Sequence, residues 1–176
     1  MADGVEVRST EDAMWASEQV PAAFPSRVRR SLQGLEAHEH ASETAWPYGN
    51  PTYDEGRPSA AEDQANRRAL PPWRPLPDVS LAAVRDELRL GSAVIVSLRV
   101  VPGTWHDGTG EIDADANKLA PSSHAVLAVG ASDDDEEPER IVVKNSWGPT
   151  WGHDGYGFVT RRYLDSYCLW AHVLEG

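Results

Sequence analysis

Residues 125–131 and residues 140–144 form two apolar runs of strand length, and an acidic stretch at 133–139 lies between them. Charge runs of this kind stay in water, so the pair reads as an antiparallel hairpin with a solvated turn. The hairpin commits the second half of the chain to sheet. His124 stands directly before the first run and Asn145 directly after the second. Antiparallel neighbours sit only about 5 Å apart, which brings an imidazole and a carboxamide within reach of each other. The amide oxygen of Asn145 can then accept the imidazole N–H and hold one tautomer, the orienter's task in a nucleophile–base–orienter triad.

The rest of the second half supports that sheet. Ser80 is a suitable N-cap for a short helix with Leu81, Val84 and Leu88 on one face, and Gly91 suits its end. A strand is expected at 93–101 and two more at 157–161 and 169–174. The expectation is therefore several strands with one helix packed against them, and no internal repeat. In the first half, Thr10 is placed to cap a helix carrying Met14 and Trp15. Pro21 and Pro25 interrupt before a second helix with Val28, Leu32 and Leu35 on one side. Glycine and proline recur from Gly49 to Pro77, so that stretch reads as a loop without regular structure.

The bulk properties exclude several function classes. Sixteen basic residues against 28 acidic ones give a net charge of −12, which repels nucleic acid phosphates and anionic lipid surfaces. One cysteine, Cys168, excludes an internal disulfide framework. The first residues carry no basic-then-apolar leader pattern, and no apolar run is long enough to cross a bilayer. The expectation is a soluble, cytoplasmic chain that binds neither nucleic acid nor membrane.

The string HAVLAVG at 124–130 and the string KNSWGPTWGHDGYG at 144–157 resemble the paired C-terminal signatures of the papain-like cysteine peptidases. Residues 80–98 resemble the helix and strand that precede the histidine motif in that family. More weakly, residues 45–48 (Ala-Trp-Pro-Tyr) resemble its aromatic-Pro-Tyr element, and residues 9–19 the helix after its nucleophile region. The resemblance implies an α+β papain-like fold with a mostly antiparallel C-terminal lobe, peptide or protein substrates, no cofactor and no metal. It implies His124 as general base, Asn145 as its orienter, and Trp147 packed over their hydrogen bond. Gly148, Gly152 and Gly155 would serve turns.

The departures from the family pattern shape the expectation as much as the matches. The family's cysteine motif and its oxyanion glutamine have no counterpart before residue 45, and Gln19 is followed by no cysteine at a suitable distance. The chain is expected to be N-terminally truncated relative to the family: 1–45 a remnant of the helical lobe, 46–79 a Pro/Gly-rich loop, and 80–176 the β-rich lobe. Alone it should be inert, the cysteine helix coming from an upstream reading frame, a mis-set start or a separate polypeptide. The alternative is a non-catalytic homologue that serves as a binding or regulatory module. Cys168 falls where the final strand is expected and reads as a structural thiol, not a nucleophile. Ser122 and Ser123 adjoin the histidine too closely for in-line activation. His38, His40, His106, His153 and His172 show no metal-ligand spacing.

Overall fold

A computed structural model describes residues 10–20, 27–42, 44, 46, 67–106, 108–132 and 139–175. Residues 133–138 of the expected acidic turn and residues 47–66 of the expected loop lie outside the described residues. The chain divides into two compact units, Met1–Pro71 and Pro72–Gly176.

The first unit holds α1 (Thr10–Glu18) and α2 (Arg27–His38). Leu32 and Leu35 of α2 are buried as their spacing requires. The two helices approach closely at Gly34, where an added Cβ would come within 2.1 Å of the Ala16 carbonyl oxygen. Buried Asp12 accepts from the Ala41 N–H at 2.8 Å and from both terminal nitrogens of Arg67. Arg67 also donates to the carbonyls of His38 and Glu39, so one guanidinium satisfies the open end of α2 and the buried carboxylate together.

The second unit is a seven-stranded sheet with two helices. Its elements are β1 (Trp73–Leu76), α3 (Leu81–Arg89), β2 (Ala93–Val100), β3 (Glu111–Ile112), β4 (Ser122–Ala131), β5 (Arg140–Lys144), β6 (Tyr156–Thr160), α4 (Arg161–Tyr167) and β7 (Cys168–Leu174). The strand order is β1-β7-β2-β4-β5-β6-β3. Every pair is antiparallel except β3 with β6. The fold is α+β, as the residue patterns indicate. Val94, Val96, Leu98, Val126, Ala128, Ile141, Val143, Val159, Ala171 and Val173 alternate into one core with Leu81 and Val84 of α3 and Tyr163, Leu164 and Tyr167 of α4. A fully buried aliphatic side chain of this kind contributes about 1.5–3 kcal/mol.

Local capping follows the sequence. Ser80 Oγ accepts from the Ala83 N–H at 3.3 Å, and the Gly91 N–H closes the end of α3 on the Leu88 carbonyl at 3.1 Å. Three local expectations need correction. Residues 73–76, read as loop because of their prolines, form β1. The strand tolerates Pro75 because it is an edge strand, paired only with β7, where a missing N–H can face away from the ladder. A second helix, α4, packs on the sheet where only one was expected. It is a seven-residue helix of about two turns between strands, and its cap, Thr160 Oγ1 accepting from the Tyr163 N–H, ends the expected 157–161 strand early. Residues 111 and 112 add a short parallel strand at the other edge. Among the described residues, no helix is long and apolar enough to cross a membrane.

Candidate active site

His124 is the third residue of β4 and not, as its place beside the apolar run suggests, the residue before it. The strand begins at Ser122 because β2 extends to Val100, and its last residues pair Val100 with Ser122, Arg99 with Ser123 and Leu98 with His124. Asn145 follows Lys144, the last residue of β5, whose cross-strand partner is Leu127. The Asn145 N–H is tied to the Gly155 carbonyl at 2.9 Å. Neighbouring strands thus deliver the two side chains to one place.

There the His124 Nε2 and the Asn145 Oδ1 lie 2.8 Å apart. The backbone N–H of Ser146 also donates to that oxygen at 2.8 Å. A backbone N–H can only donate, so the atom facing it is the amide oxygen, and the orientation of the Asn145 carboxamide is settled by its partners. An oxygen that only accepts requires Nε2 to carry the proton. Nδ1 of His124 is left with the lone pair, which is the form a general base needs. The carboxamide is buried, and its Nδ2 has no hydrogen-bond partner among the described residues. Such an orphaned donor costs about 1–3 kcal/mol.

Two aromatic rings pack on His124, and two more back them. The Trp147 indole stacks on His124 with centroids 4.8 Å apart and planes 26° from parallel, and Trp105 stands edge-on to the same imidazole at 5.6 Å and 86°. Trp151 lies nearly parallel to Trp105 at 6.3 Å and donates its Nε1–H to the Trp105 carbonyl at 2.7 Å. His106 lies flat against Trp147, 4.8 Å away and 6° from parallel. Trp105 is buried, while Trp147 remains partly exposed. Rings packed on one side of a hydrogen bond lower the local dielectric and exclude competing water, which strengthens it.

Trp105 and His106 are the residues that the sequence reading missed. Both fall in a Pro- and Gly-flanked turn, and no local periodicity marks a ring whose partners lie far along the chain. Among the glycines of positive φ, Gly152 makes the closest approach. Its φ is +55°, and an added Cβ would meet the Tyr156 carbonyl oxygen at 2.3 Å. The loop from Asn145 to Tyr156 folds back through that point.

Cys168 opens β7. Leu98 of β2 pairs with Cys168 on one side and with His124 on the other. Two interstrand spacings, about 10 Å between backbones, therefore separate the thiol from the imidazole, and Leu98 fills the space between them. Burial also pushes the Cys168 thiol up to about 12, so little of it is thiolate near neutrality. Ser123, next to His124 in an extended strand, points to the opposite face. Elsewhere, His38 stands edge-on to Trp15, His40 bridges to Arg68, His153 lies beside Phe158, and His172 is buried next to Trp73. Among the described residues, no three His, Cys, Asp or Glu side chains gather as a metal site would require.

Known proteins show the same arrangement of chain. The chain is similar to Cathepsin B-like CP2 of Giardia intestinalis, 54% identical over 42 residues that make up 24% of this chain and 14% of that protein. It is also similar to a probable cysteine protease of Arabidopsis thaliana, 30% identical over 83 residues, 46% of this chain and 22% of that protein. These matches span less than a quarter of either relative. Among solved structures, the fold is similar to that of Xylellain, a cysteine protease from Xylella fastidiosa. The TM-score is 0.78 at 19% identity, over 96% of this chain and 69% of that one. Procathepsin L 3 of the Tenebrio molitor larval midgut gives a TM-score of 0.71 at 19% identity, over 95% of this chain and 55% of that one. The family model described as papain family cysteine protease matches residues 33–173, most of the sequence. With its histidine and asparagine joined at the start of β4 and the end of β5, the chain belongs to the papain family of cysteine proteases.

Proposed function

We propose that this chain supplies the base and the orienter of a papain-type peptidase site, and that the attacking thiolate comes from a segment outside this sequence. The observation that carries the reading is the contact between His124 Nε2 and Asn145 Oδ1, with Ser146 fixing the amide. It leaves Nδ1 as the basic atom. Cys168, the one cysteine in the sequence, is set apart by Leu98 and by its raised pKa.

In the completed site, the incoming thiol gives its proton to His124 Nδ1, and the resulting thiolate attacks the carbonyl carbon of a peptide bond. The imidazolium, held by Asn145, returns that proton to the leaving amine as the C–N bond breaks, and an acyl-enzyme thioester remains. Water then loses a proton to Nδ1 and attacks the thioester, which releases the carboxylic acid and restores the thiol. Trp147 shields the His124–Asn145 bond through both steps.

Co-expression of the full chain with a cysteine-bearing helical segment of the papain family tests this reading. Cleavage of a fluorogenic peptide should appear in the complex and disappear in His124→Ala. A stable, well-mixed complex without cleavage would overturn the proposal and favour the alternative, a papain-fold module that binds or regulates without catalysis.

A further inference from the structure

The Tyr163 hydroxyl, on α4 and fully buried, uses its whole hydrogen-bonding capacity on one short turn. It donates to the Arg99 carbonyl at 2.7 Å. It accepts the Val101 N–H at 3.1 Å and the Trp105 Nε1–H at 2.8 Å. Within the turn, the Thr104 hydroxyl and backbone N–H both donate to the Val101 carbonyl, at 3.0 and 3.4 Å. A single oxygen thus binds the last residues of β2, the start of the turn and the indole at its far end. Two adjacent rings leave that turn in different directions: Trp105 goes inward against His124, and His106 lies on the face of Trp147. Trp147 in turn stacks on His124. Trp105, one of the two rings that touch the imidazole, and His106, which backs the other, thus leave a turn that this phenol ties together, with the Trp151 Nε1–H on the Trp105 carbonyl as a further hold.

We propose that Tyr163 is a positioning residue for the His124 imidazole, acting through the 101–106 turn and the Trp105 and His106 rings. The inference rests on the reading of His124 as the base. Loss of the hydroxyl frees the Trp105 indole to tilt, opens the wall beside the imidazole and admits water to the His124–Asn145 bond. Tyr167, one helical turn further along α4, is a built-in control. It too is buried, its ring packs on that of Tyr163 at 4.8 Å, and its hydroxyl donates to the Asp115 carbonyl at 2.7 Å and accepts the Lys118 N–H at 2.8 Å, with no hydrogen bond to the 101–106 turn among the described residues.

The test is NMR of the full chain labelled with nitrogen-15, following solvent exchange of the His124 Nε2–H against the backbone amide of Val126 on the same strand. In Tyr163→Phe the ring proton should accelerate about tenfold more than the Val126 amide, since local opening of one hydrogen bond is read separately from global unfolding. In Tyr167→Phe the two should accelerate by the same factor. Equal factors in Tyr163→Phe, or a disproportionate ring effect in Tyr167→Phe, would overturn the proposal. Should Tyr163→Phe not fold, 3-fluorotyrosine at position 163, which keeps the ring and weakens the hydroxyl as an acceptor, gives the same comparison with the same deciding outcomes. A wild-type spectrum with the proton on Nδ1 would overturn the base assignment together with the role of Tyr163. Proportional exchange with the proton on Nε2 would overturn the role of Tyr163 alone.

Discussion

The Nε2 of His124 and the Oδ1 of Asn145 meet at 2.8 Å, and the Ser146 backbone N–H occupies the remaining side of that oxygen. The consequence is a ring with one defined proton position. Asn145→Ala removes the acceptor and should let the imidazole sample both tautomers, visible in its ring nitrogen-15 shifts. In a completed enzyme kcat/KM should fall about 10- to 100-fold, the equivalent of one hydrogen bond to a charged group. The loss of folding stability should be small, about 1 kcal/mol, because the same substitution removes the unpartnered Nδ2. Denaturant unfolding measures the second effect, and a loss above about 3 kcal/mol would contradict it.

Cys168 should behave as a structural thiol. With its pKa raised by burial from an ordinary 9.0 to about 12, it should react with iodoacetamide at pH 8 several hundredfold or more slowly than a free thiol, because only the thiolate attacks. The sign of the linked stability follows. The folded state holds this proton more tightly than the unfolded state, so the thiol's contribution is fully present below pH 9.0. It is then lost as pH rises toward about 12. Cys168→Ser should unfold with a shallower alkaline slope than wild type over that window. Rapid alkylation of the native chain at pH 8 would refute this assignment.

Two glycines of the same loop should respond very differently to alanine. Gly152→Ala sets a Cβ 2.3 Å from the Tyr156 carbonyl oxygen, and backbone must move to relieve it. The cost should exceed about 3 kcal/mol, in the range of severe strain. Gly148 also has a positive φ, +86°, but nothing lies within 4 Å of its added Cβ. Gly148→Ala should therefore cost only the left-handed backbone term, about 1–2 kcal/mol. Equal thermal shifts for the two variants would refute the steric argument.

Most of the β-rich unit was legible in the residues. The alternation in β2, β4 and β5 marks one buried face, and Ser80 announces α3 by its capping oxygen, so both follow from local chemistry. β1 was hidden because its prolines speak against a strand, and only its place at a sheet edge makes them harmless. α4 was hidden because it is shorter than the window in which helical periodicity becomes visible. His106 read as an isolated polar residue for a related reason: its partner, Trp147, lies beyond three strands of intervening chain.

By themselves the residues determined the alternating strands, the acidic interruption between β4 and β5, and the histidine and asparagine at the two ends of that hairpin. Each of these rests on side-chain chemistry and spacing within a few residues. The tertiary structure alone decided which ring nitrogen carries the proton, that Leu98 stands between Cys168 and His124, and that Tyr163 holds the turn bearing Trp105 and His106. The physical reason is that these are relations between atoms distant in the chain. They come into being only when sheet register and core packing place each group beside a single partner.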